Sequence, residues 1–191
     1  MNVPSATLLC LALALVAPVC GAGDTKPQTS PKSAFPRKLD GRGVDNLYQL
    51  SEHLYSGSKP HDEDAFRFLS KLGIKTILSV DGEAPEAALA KKHGIDYVHV
   101  PIGHDGIQEA QARQIVKTAE QAGPLFVHCH YGINRGPSAA AIICIAQHGW
   151  TAQQAVAWMR LAGTSPYCTG LFRDVRNFKA PAALTPAQQL R

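Results

Sequence analysis

A cysteine and an arginine separated by five residues form the most reactive pattern in the chain. An apolar run at residues 124–127 precedes Cys129, and another at residues 139–146 follows Arg135. Such runs predict a buried strand and a buried helix, so the segment between them is expected to close onto a helix N-terminus. The backbone N–H groups of such a loop turn inward and bind anions. The pattern therefore predicts a phosphate-binding loop with a nucleophile at its base.

The residue types in this loop suit covalent chemistry at phosphorus. The thiolate is the nucleophilic form of cysteine, and a helix N-terminus and a nearby cation favour that form at Cys129. Arg135 offers a planar fork that binds two phosphoryl oxygens at once. Gly132 permits a positive φ and a close approach of the backbone to the anion. The residues predicted to hold the phosphate are His130, Tyr131, Gly132, Ile133, Asn134 and Arg135. Of these, His130 and Tyr131 are expected to point outward and to shape the mouth of the pocket.

His128 directly precedes the nucleophile, and two interpretations of it stay open. Because side chains alternate along a strand, His128 points away from Cys129. It either supports the loop from behind with a hydrogen bond or is a histidine of the core with its polar atoms satisfied. The sequence does not favour one over the other.

Helices and strands alternate upstream of this loop, and glycine ends three of the helices. Gly73, Gly94 and Gly123 each separate a helical pattern from an apolar run. The predicted strands cover residues 46–50, 53–57, 74–80, 97–100 and 124–127. The predicted helices cover residues 62–72, 86–93, 107–122 and 139–146. A further helix is opened by a capping box at Thr151, and a last one covers residues 170–178. This order predicts an α/β fold: a three-layer αβα arrangement around a mostly parallel sheet of about four to five strands. The phosphate loop then lies at the carboxyl edge of the sheet, where ligands of open α/β sheets bind.

Composition limits the classes of function. The 191 residues suggest one domain, and a formal charge of +4 without a basic run gives no reason to expect nucleic acid as a partner. The body of the chain holds three widely spaced cysteines, which form neither a disulfide framework nor a zinc pattern. We expect a monomer without cofactor or metal and infer no stable partner. The expected substrate is a phosphorylated protein or a small phosphate ester.

The N-terminus has the order of an export signal. Residues 8–19 are apolar but too few to span a bilayer comfortably, and small residues follow them. We therefore predict a signal peptide at residues 1–22, with cleavage near Ala22 and a periplasmic or secreted protein, although no Lys or Arg precedes the run. Lipid attachment at Cys20 is the alternative. A flexible linker at 23–43, a catalytic domain at 44–179 and a flexible tail at 180–191 complete the predicted organisation.

The motif His128-Cys129-x-x-Gly132-x-x-Arg135 resembles the signature of the cysteine-based protein tyrosine phosphatase superfamily. The compact dual-specificity branch fits best, because its signature follows the last central strand late in the chain. The resemblance covers residues 46–178, and the segment at 54–60 also resembles the start of compact members. It implies a two-step hydrolysis of phosphotyrosine, and of phosphoserine or phosphothreonine, through a phosphocysteine. Inositol phosphates remain open as substrates.

The resemblance also implies an aspartate that acts as general acid and then general base from a loop after the preceding strand. Asp105 follows the strand at 97–100 and is our prediction. Asp81 is the alternative, although it is expected to lie one strand further from the phosphate loop. His104 could assist, and Asp96 begins a strand and should lie at the wrong edge of the sheet.

One residue departs from the family pattern. Gly136 occupies the position after the arginine, where the family usually has Ser or Thr to stabilise the leaving thiolate. The sequence therefore predicts slow breakdown of the phosphocysteine.

Three competing interpretations remain. A rhodanese-type sulfurtransferase also ends a strand with a cysteine loop, and a non-catalytic phosphate-binding module would keep the loop without turnover. A metal site built from the eight histidines is the third, but their spacing matches no metal-binding pattern.

Overall fold

The computed structural model describes Met1 and residues 35–180. Its sheet contains β1 (Arg37–Lys38), β2 (Tyr48–Gln49), β3 (Leu54–Ser58), β4 (Thr76–Ser79), β5 (Asp96–His99) and β6 (Leu125–Cys129). The spatial order is β1-β2-β3-β6-β4-β5, with antiparallel pairing from β1 to β3 and parallel pairing from β3 to β5. The predicted mostly parallel sheet is confirmed, and its strand number is six rather than four to five.

The additional strand, β1, lies in the segment predicted as linker. Arg37 and Lys38 pair with Gln49 and Tyr48, and Nη2 of Arg37 donates to Oε1 of Gln49 at 2.6 Å. A two-residue strand has too few positions for an alternating pattern, so its sequence carries no strand signal. Apart from Met1, the predicted signal peptide, residues 23–34 of the predicted linker and residues 181–191 of the predicted tail lie outside the described residues.

Six helices connect and cover the strands of the described part. They are α1 (Glu63–Lys71), α2 (Ala87–Lys92), α3 (Glu109–Gln121), α4 (Arg135–His148), α5 (Ala152–Leu161) and α6 (Thr169–Asn177). Each matches a predicted helix, and the capping box at Thr151 is present. None of these helices is long and apolar enough to cross a membrane.

The core consists of two layers of side chains, one on each face of the sheet. Ile77 and Phe126 belong to one cluster with residues of α1 and α2, whereas Leu78 and Val127 belong to the other with residues of α3 to α6. Adjacent strand residues therefore face opposite sides, as the pleat requires. The predicted three-layer arrangement is confirmed.

The position of β4 corrects one prediction. β4 lies between β6 and β5, so Asp81, two residues beyond the end of β4, lies beside the phosphate loop and contacts Arg135. The expectation that Asp81 lies one strand further away than Asp105 is wrong. The four residues of β4 are buried, whereas β5 is partly exposed at the edge of the sheet. The more apolar strand occupies the centre although it comes earlier in the chain. Asp96 is the first residue of β5 and lies at the amino-terminal end of the parallel strands, opposite the phosphate loop, as expected.

Candidate active site

Cys129 is the last residue of β6 and lies at the predicted place, at the carboxyl edge of the sheet. Its side chain is 3% exposed, and β3 pairs alongside it with Ser58 opposite. Residues 130–134 then turn the chain, and α4 begins at Arg135. Strand, loop and helix thus follow in the order that the sequence predicted.

Donors from outside the loop hold its carbonyl groups. The Lys59 N–H donates to the carbonyl of Cys129 at 2.8 Å and to that of His130 at 3.2 Å. Nδ2 of Asn46 donates to the Gly132 carbonyl at 2.9 Å. Two hydroxyl groups complete the set: Oγ1 of Thr164 donates to Ile133 at 2.7 Å and Oγ of Ser138 donates to Asn134 at 2.8 Å. The loop carbonyls therefore point away from the centre of the loop.

The N–H groups of the same loop are left free. Within residues 35–180, no protein acceptor binds the backbone N–H groups of residues 130–134. A row of N–H groups without acceptors beside a helix N-terminus is an anion-binding nest. The arrangement therefore presents main-chain donors where the predicted phosphate-binding loop requires them.

Gly132 is required in this loop for two reasons. Its φ is +67°, a conformation that favours glycine. A Cβ at this position would also overlap the backbone of Gly57 and Ser58 in β3. The predicted positive φ is confirmed, and the structure adds that the close approach is to the neighbouring strand.

Arg135 is held by Asp81, a partner that the sequence placed too far away. Nη2 of Arg135 lies 3.0 Å from Oδ1 of Asp81, and both side chains are largely buried. The Gly82 N–H donates to the same carboxylate at 2.7 Å, and the His99 ring lies 2.8 Å from the Asp81 carbonyl. Within the part of the chain that the structure describes, Nε of Arg135 is buried without a hydrogen-bond partner. Asp81 thus orients the guanidinium of Arg135 through Nη2, while Nε remains free to donate to a phosphoryl oxygen.

A group of charged side chains surrounds the mouth of the loop. Nδ1 of His130 lies 3.0 Å from Glu83, which also binds Lys59 at 2.9 Å. Tyr131 is 69% exposed and packs edge-on against His130. Both residues therefore border the opening, as predicted.

Asp81, Glu83 and His130 have ligand atoms within 4.8 Å of one another and could hold a divalent cation. Among the described residues, Oδ2 of Asp81 accepts no hydrogen bond and lies 3.8 Å from Nδ1 of His130. Arg135 and Lys59 already neutralise the carboxylates of Asp81 and Glu83.

The structure places His128 in the core, but only one of its ring nitrogens is satisfied, because Nδ1 is buried without a hydrogen-bond partner among the described residues. The ring is 1% exposed, stacks on Phe126, and shares a 2.9 Å hydrogen bond between Nε2 and the Tyr97 hydroxyl. Burial lowers the pKa of His128 to about 4, although the charge of Asp81 opposes this shift. His128 is therefore neutral at physiological pH, and its hydrogen bond connects β6 to Tyr97 of β5.

Asp105 lies on the loop between β5 and α3 and is exposed, as is His104. Its side chain lines a surface cavity with residues that open α3 and with Arg173 and Asp174 of α6. No residue of the phosphate loop lines that cavity. The structure thus brings Cys129 and Arg135 together and places Asp105 on a separate loop, between β5 and α3.

Sequence reasoning missed the residues that hold the phosphate loop. Asn46 has φ of +50° and also donates to the Ala162 carbonyl at 2.8 Å. The sequence placed it at the start of a strand. The Ser165 N–H donates to Oδ1 of Asn134 at 2.9 Å. Of these residues, only Asn46 carried a sequence signal for its conformation, because asparagine tolerates a positive φ better than most residues.

Comparison with known proteins identifies the family of this chain. Residues 51–149 match the family model described as "Polymorphic toxin system, DSP-PTPase phosphatase". The chain therefore belongs to this family, in the dual-specificity-like branch of the cysteine-based protein tyrosine phosphatase superfamily.

A curated relative is the dual specificity protein phosphatase TpbA of Pseudomonas aeruginosa. The chain is 30% identical to it over 62% of its own length and 55% of the relative's. The match thus spans about half the length of the curated relative.

Solved structures of P. aeruginosa TpbA share the fold. One has a TM-score of 0.66 at 23% identity and covers 78% of this chain and 94% of the other. A TpbA complex with phosphotyrosine has a TM-score of 0.58 at 23% identity and covers 78% and 100%.

Proposed function

We propose that this protein hydrolyses phosphate monoesters, with phosphotyrosine as the first candidate substrate, through a phosphocysteine on Cys129. One observation carries the proposal: the buried thiol lies at the base of a loop whose N–H groups lack acceptors and whose arginine has a free Nε. A relative named as a dual specificity phosphatase and a related structure with phosphotyrosine bound support it.

In the first step, the Cys129 thiolate attacks phosphorus and the bond to the ester oxygen breaks. The loop N–H groups and Arg135 stabilise the charge that develops on the phosphoryl oxygens. Asp105 donates its proton to the leaving oxygen, so the alcohol departs neutral. The product is phosphocysteine.

In the second step, water attacks phosphorus and the S–P bond breaks. Asp105, now a carboxylate, takes a proton from the water, and inorganic phosphate leaves. The thiolate of Cys129 and the protonated Asp105 are regenerated. One difficult displacement is thereby divided into two easier ones.

The assignment of the acid is tested with two substrates that differ in leaving group. Phenyl phosphate needs a proton on its leaving oxygen, whereas dinitrophenyl phosphate does not. Breakdown of the phosphocysteine is common to both substrates, so the comparison uses kcat/KM, which reports the first step. We expect Asp105→Ala to lower kcat/KM for phenyl phosphate by about 10²–10⁴-fold, the usual contribution of a general acid, and to change kcat/KM for dinitrophenyl phosphate little.

Asp81→Asn is the matched comparison, because Asp81 orients Arg135 at 3.0 Å. It should slow both substrates alike. A loss confined to phenyl phosphate in Asp81→Asn, with Asp105→Ala unaffected, would move the acid role to Asp81.

The substrate class is tested by phosphate release from phosphotyrosine peptides, phosphoserine peptides and inositol phosphates. The mouth of the phosphate loop favours phosphotyrosine, because the exposed side chains of Tyr131 and Ile133 offer apolar surface to an aromatic ring. Glu83 and Glu86 beside Lys59 oppose a highly charged substrate. A preference for inositol phosphates would contradict this ranking.

Gly136 predicts a kinetic burst. A Cβ at this position would lie 3.5 Å from Sγ of Cys129, so a serine there would place its hydroxyl beside the leaving thiolate. In a rapid-quench time course, we expect one fast turnover followed by a slower steady state. Because a hydrogen bond to a charged group contributes about 1.5–3 kcal/mol, Gly136→Ser should speed the slow phase by about 10- to 100-fold.

Gly136→Ala controls for the added volume, since its Cβ also lies 3.2 Å from the Cys129 nitrogen. Alanine should not speed the slow phase. A time course of the unaltered protein without a burst would refute slow breakdown.

A second candidate function is a phosphate-binding module without turnover, which the same Gly136 favours. It would bind a phosphotyrosine peptide tightly and release no phosphate even after long incubation. The rapid-quench experiment also decides this alternative, because a module without chemistry gives no burst.

Export is the remaining part of the proposal, and the sequence of residues 1–22 supports it. Fractionation of cells that express the full chain, with N-terminal sequencing, should find an exported protein cut near Ala22. A lipid-modified N-terminus at Cys20 would support the alternative, and an uncut cytosolic chain would contradict export.

A further inference from the structure

Helix α6 holds the loop that carries Asp105 at two points. The Ile107 N–H donates to Oδ2 of Asp174 at 2.7 Å. The Asp105 carbonyl lies so close to Gly170 that a Cβ on this glycine would overlap it. We call Gly170 and Asp174 the α6 clasp. The clasp contacts the backbone just at and after Asp105.

The backbone conformation at Gly170 does not itself require a glycine. Gly170 lies in the first turn of α6 and is absent from the positive-φ residues. Alanine is a much better helix former at such a position. The contact with the Asp105 carbonyl explains why glycine, which has no side chain, occupies position 170.

Gly106, on the loop side, is shaped by the same contact. Its φ is +153°, and a Cβ there would overlap the Asp174 carboxylate and approach the Arg173 guanidinium to 2.8 Å. At Gly106 the loop backbone therefore lies directly against the Asp174 side chain, and at Gly170 the helix backbone lies directly against the Asp105 carbonyl.

The helix that carries the clasp is firmly anchored. Leu171, Phe172 and Val175 are buried in the same core as α4. Nε of Arg173 donates to Oδ1 of Asp174 at 2.7 Å and fixes the carboxylate. Burial acts to raise the pKa of Asp174, but the hydrogen bonds from Arg173 and the Ile107 N–H outweigh it and leave the pKa below its usual value. Asp174 therefore stays ionised as an acceptor near neutral pH.

We propose that the α6 clasp positions the general acid: by fixing the backbone of residues 105–107, Gly170 and Asp174 set where the Asp105 carboxyl can reach the leaving oxygen. This inference rests on the proposed function. Asp174 touches no reacting atom in this scheme and is a positioning residue.

The test compares phenyl phosphate with dinitrophenyl phosphate in clasp variants of the full chain. Asp174→Ala removes the acceptor for Ile107, and Gly170→Ala pushes the Asp105 carbonyl away. Both should lower kcat/KM for phenyl phosphate by about 10- to 100-fold, part of what the acid itself contributes, while kcat/KM for dinitrophenyl phosphate stays within about twofold. Asp174→Asn retains an acceptor oxygen and should keep most of the activity. Asn177→Ala, an exposed change on the same helix, should behave as the unaltered protein.

The outcomes separate this inference from the proposed function. If Asp105→Ala shows the leaving-group dependence and neither clasp variant does, the clasp does not position the acid and the proposed function stands. Equal losses on both substrates mean general damage to the fold and overturn the inference, as does a gain in activity. If Asp105→Ala is itself without effect, the acid assignment fails and the inference with it. Activity that survives Cys129→Ser defeats the proposed function independently.

Discussion

Replacing Cys129 with serine is expected to abolish turnover while phosphate-ester binding survives. The hydroxyl of serine is a poor nucleophile without an adjacent base. His128 does not supply that base, because its ring points away from the loop and bonds the Tyr97 hydroxyl. By analogy with other enzymes that lose their nucleophile, kcat should fall by about 10⁴-fold or more. Hydrolysis of para-nitrophenyl phosphate measures the loss, and calorimetry with a phosphotyrosine peptide measures the retained binding.

Cys144→Ala is the matched control for this substitution. Cys144 is also a free buried cysteine, but it lies in the interior of α4 and contributes only to packing. Burial raises the pKa of its thiol, so it is unreactive near neutral pH. The control should retain activity. Hydrolysis that persists in Cys129→Ser and disappears in Cys144→Ala would contradict the mechanism.

Arg135→Lys is expected to have the second largest effect. The guanidinium is held by Asp81 through Nη2 and keeps its buried Nε free, so it presents a fixed fork to the phosphoryl group. Lysine keeps the charge but is a point donor on a flexible stem. Because the removal of one preorganised donor usually costs about 10²–10³ in kcat, kcat/KM should fall by at least that factor.

The control must separate lost chemistry from a destabilised fold. Arg67→Lys, an exposed change on α1, should have no effect on activity. Thermal melting of Arg135→Lys shows whether the altered partner of Asp81 unfolds the protein. A folded Arg135→Lys variant with kcat/KM within about tenfold of the unaltered protein would contradict the role of the fork.

Local patterns predicted the elements well because their causes are local. Gly73 and Gly94 end helices with positive φ, and the Thr151 side chain caps α5 where the capping box indicated. The position of Cys129 at the end of β6 followed from the apolar run before it. Each of these features depends on residues within a few positions of one another.

The order of the strands could not be predicted from such patterns. β4 enters the centre of the sheet between β6 and β5, and only this crossover brings Asp81 to Arg135. The two residues are far apart in the chain, and no spacing rule connects them. The same holds for Asn46 and Thr164, whose bonds to the loop carbonyls depend on tertiary packing.

The family assignment also narrows the alternatives. Membership in the DSP-PTPase family leaves no support for a sulfurtransferase, which rested on the cysteine loop alone. The remaining question is chemical: whether the loop only binds phosphate or accepts it onto sulfur. The geometry around Gly136 makes this question measurable, because slow breakdown favours accumulation of the intermediate.

Trapping the intermediate tests the central claim most directly. The protein is mixed with para-nitrophenyl phosphate, quenched in acid within the first turnover, digested and examined by mass spectrometry. We predict a phosphate adduct on the peptide that contains Cys129, localised to that cysteine and absent from Cys129→Ser. Substrate turnover without any adduct on Cys129, or an adduct on a different residue, would contradict the account.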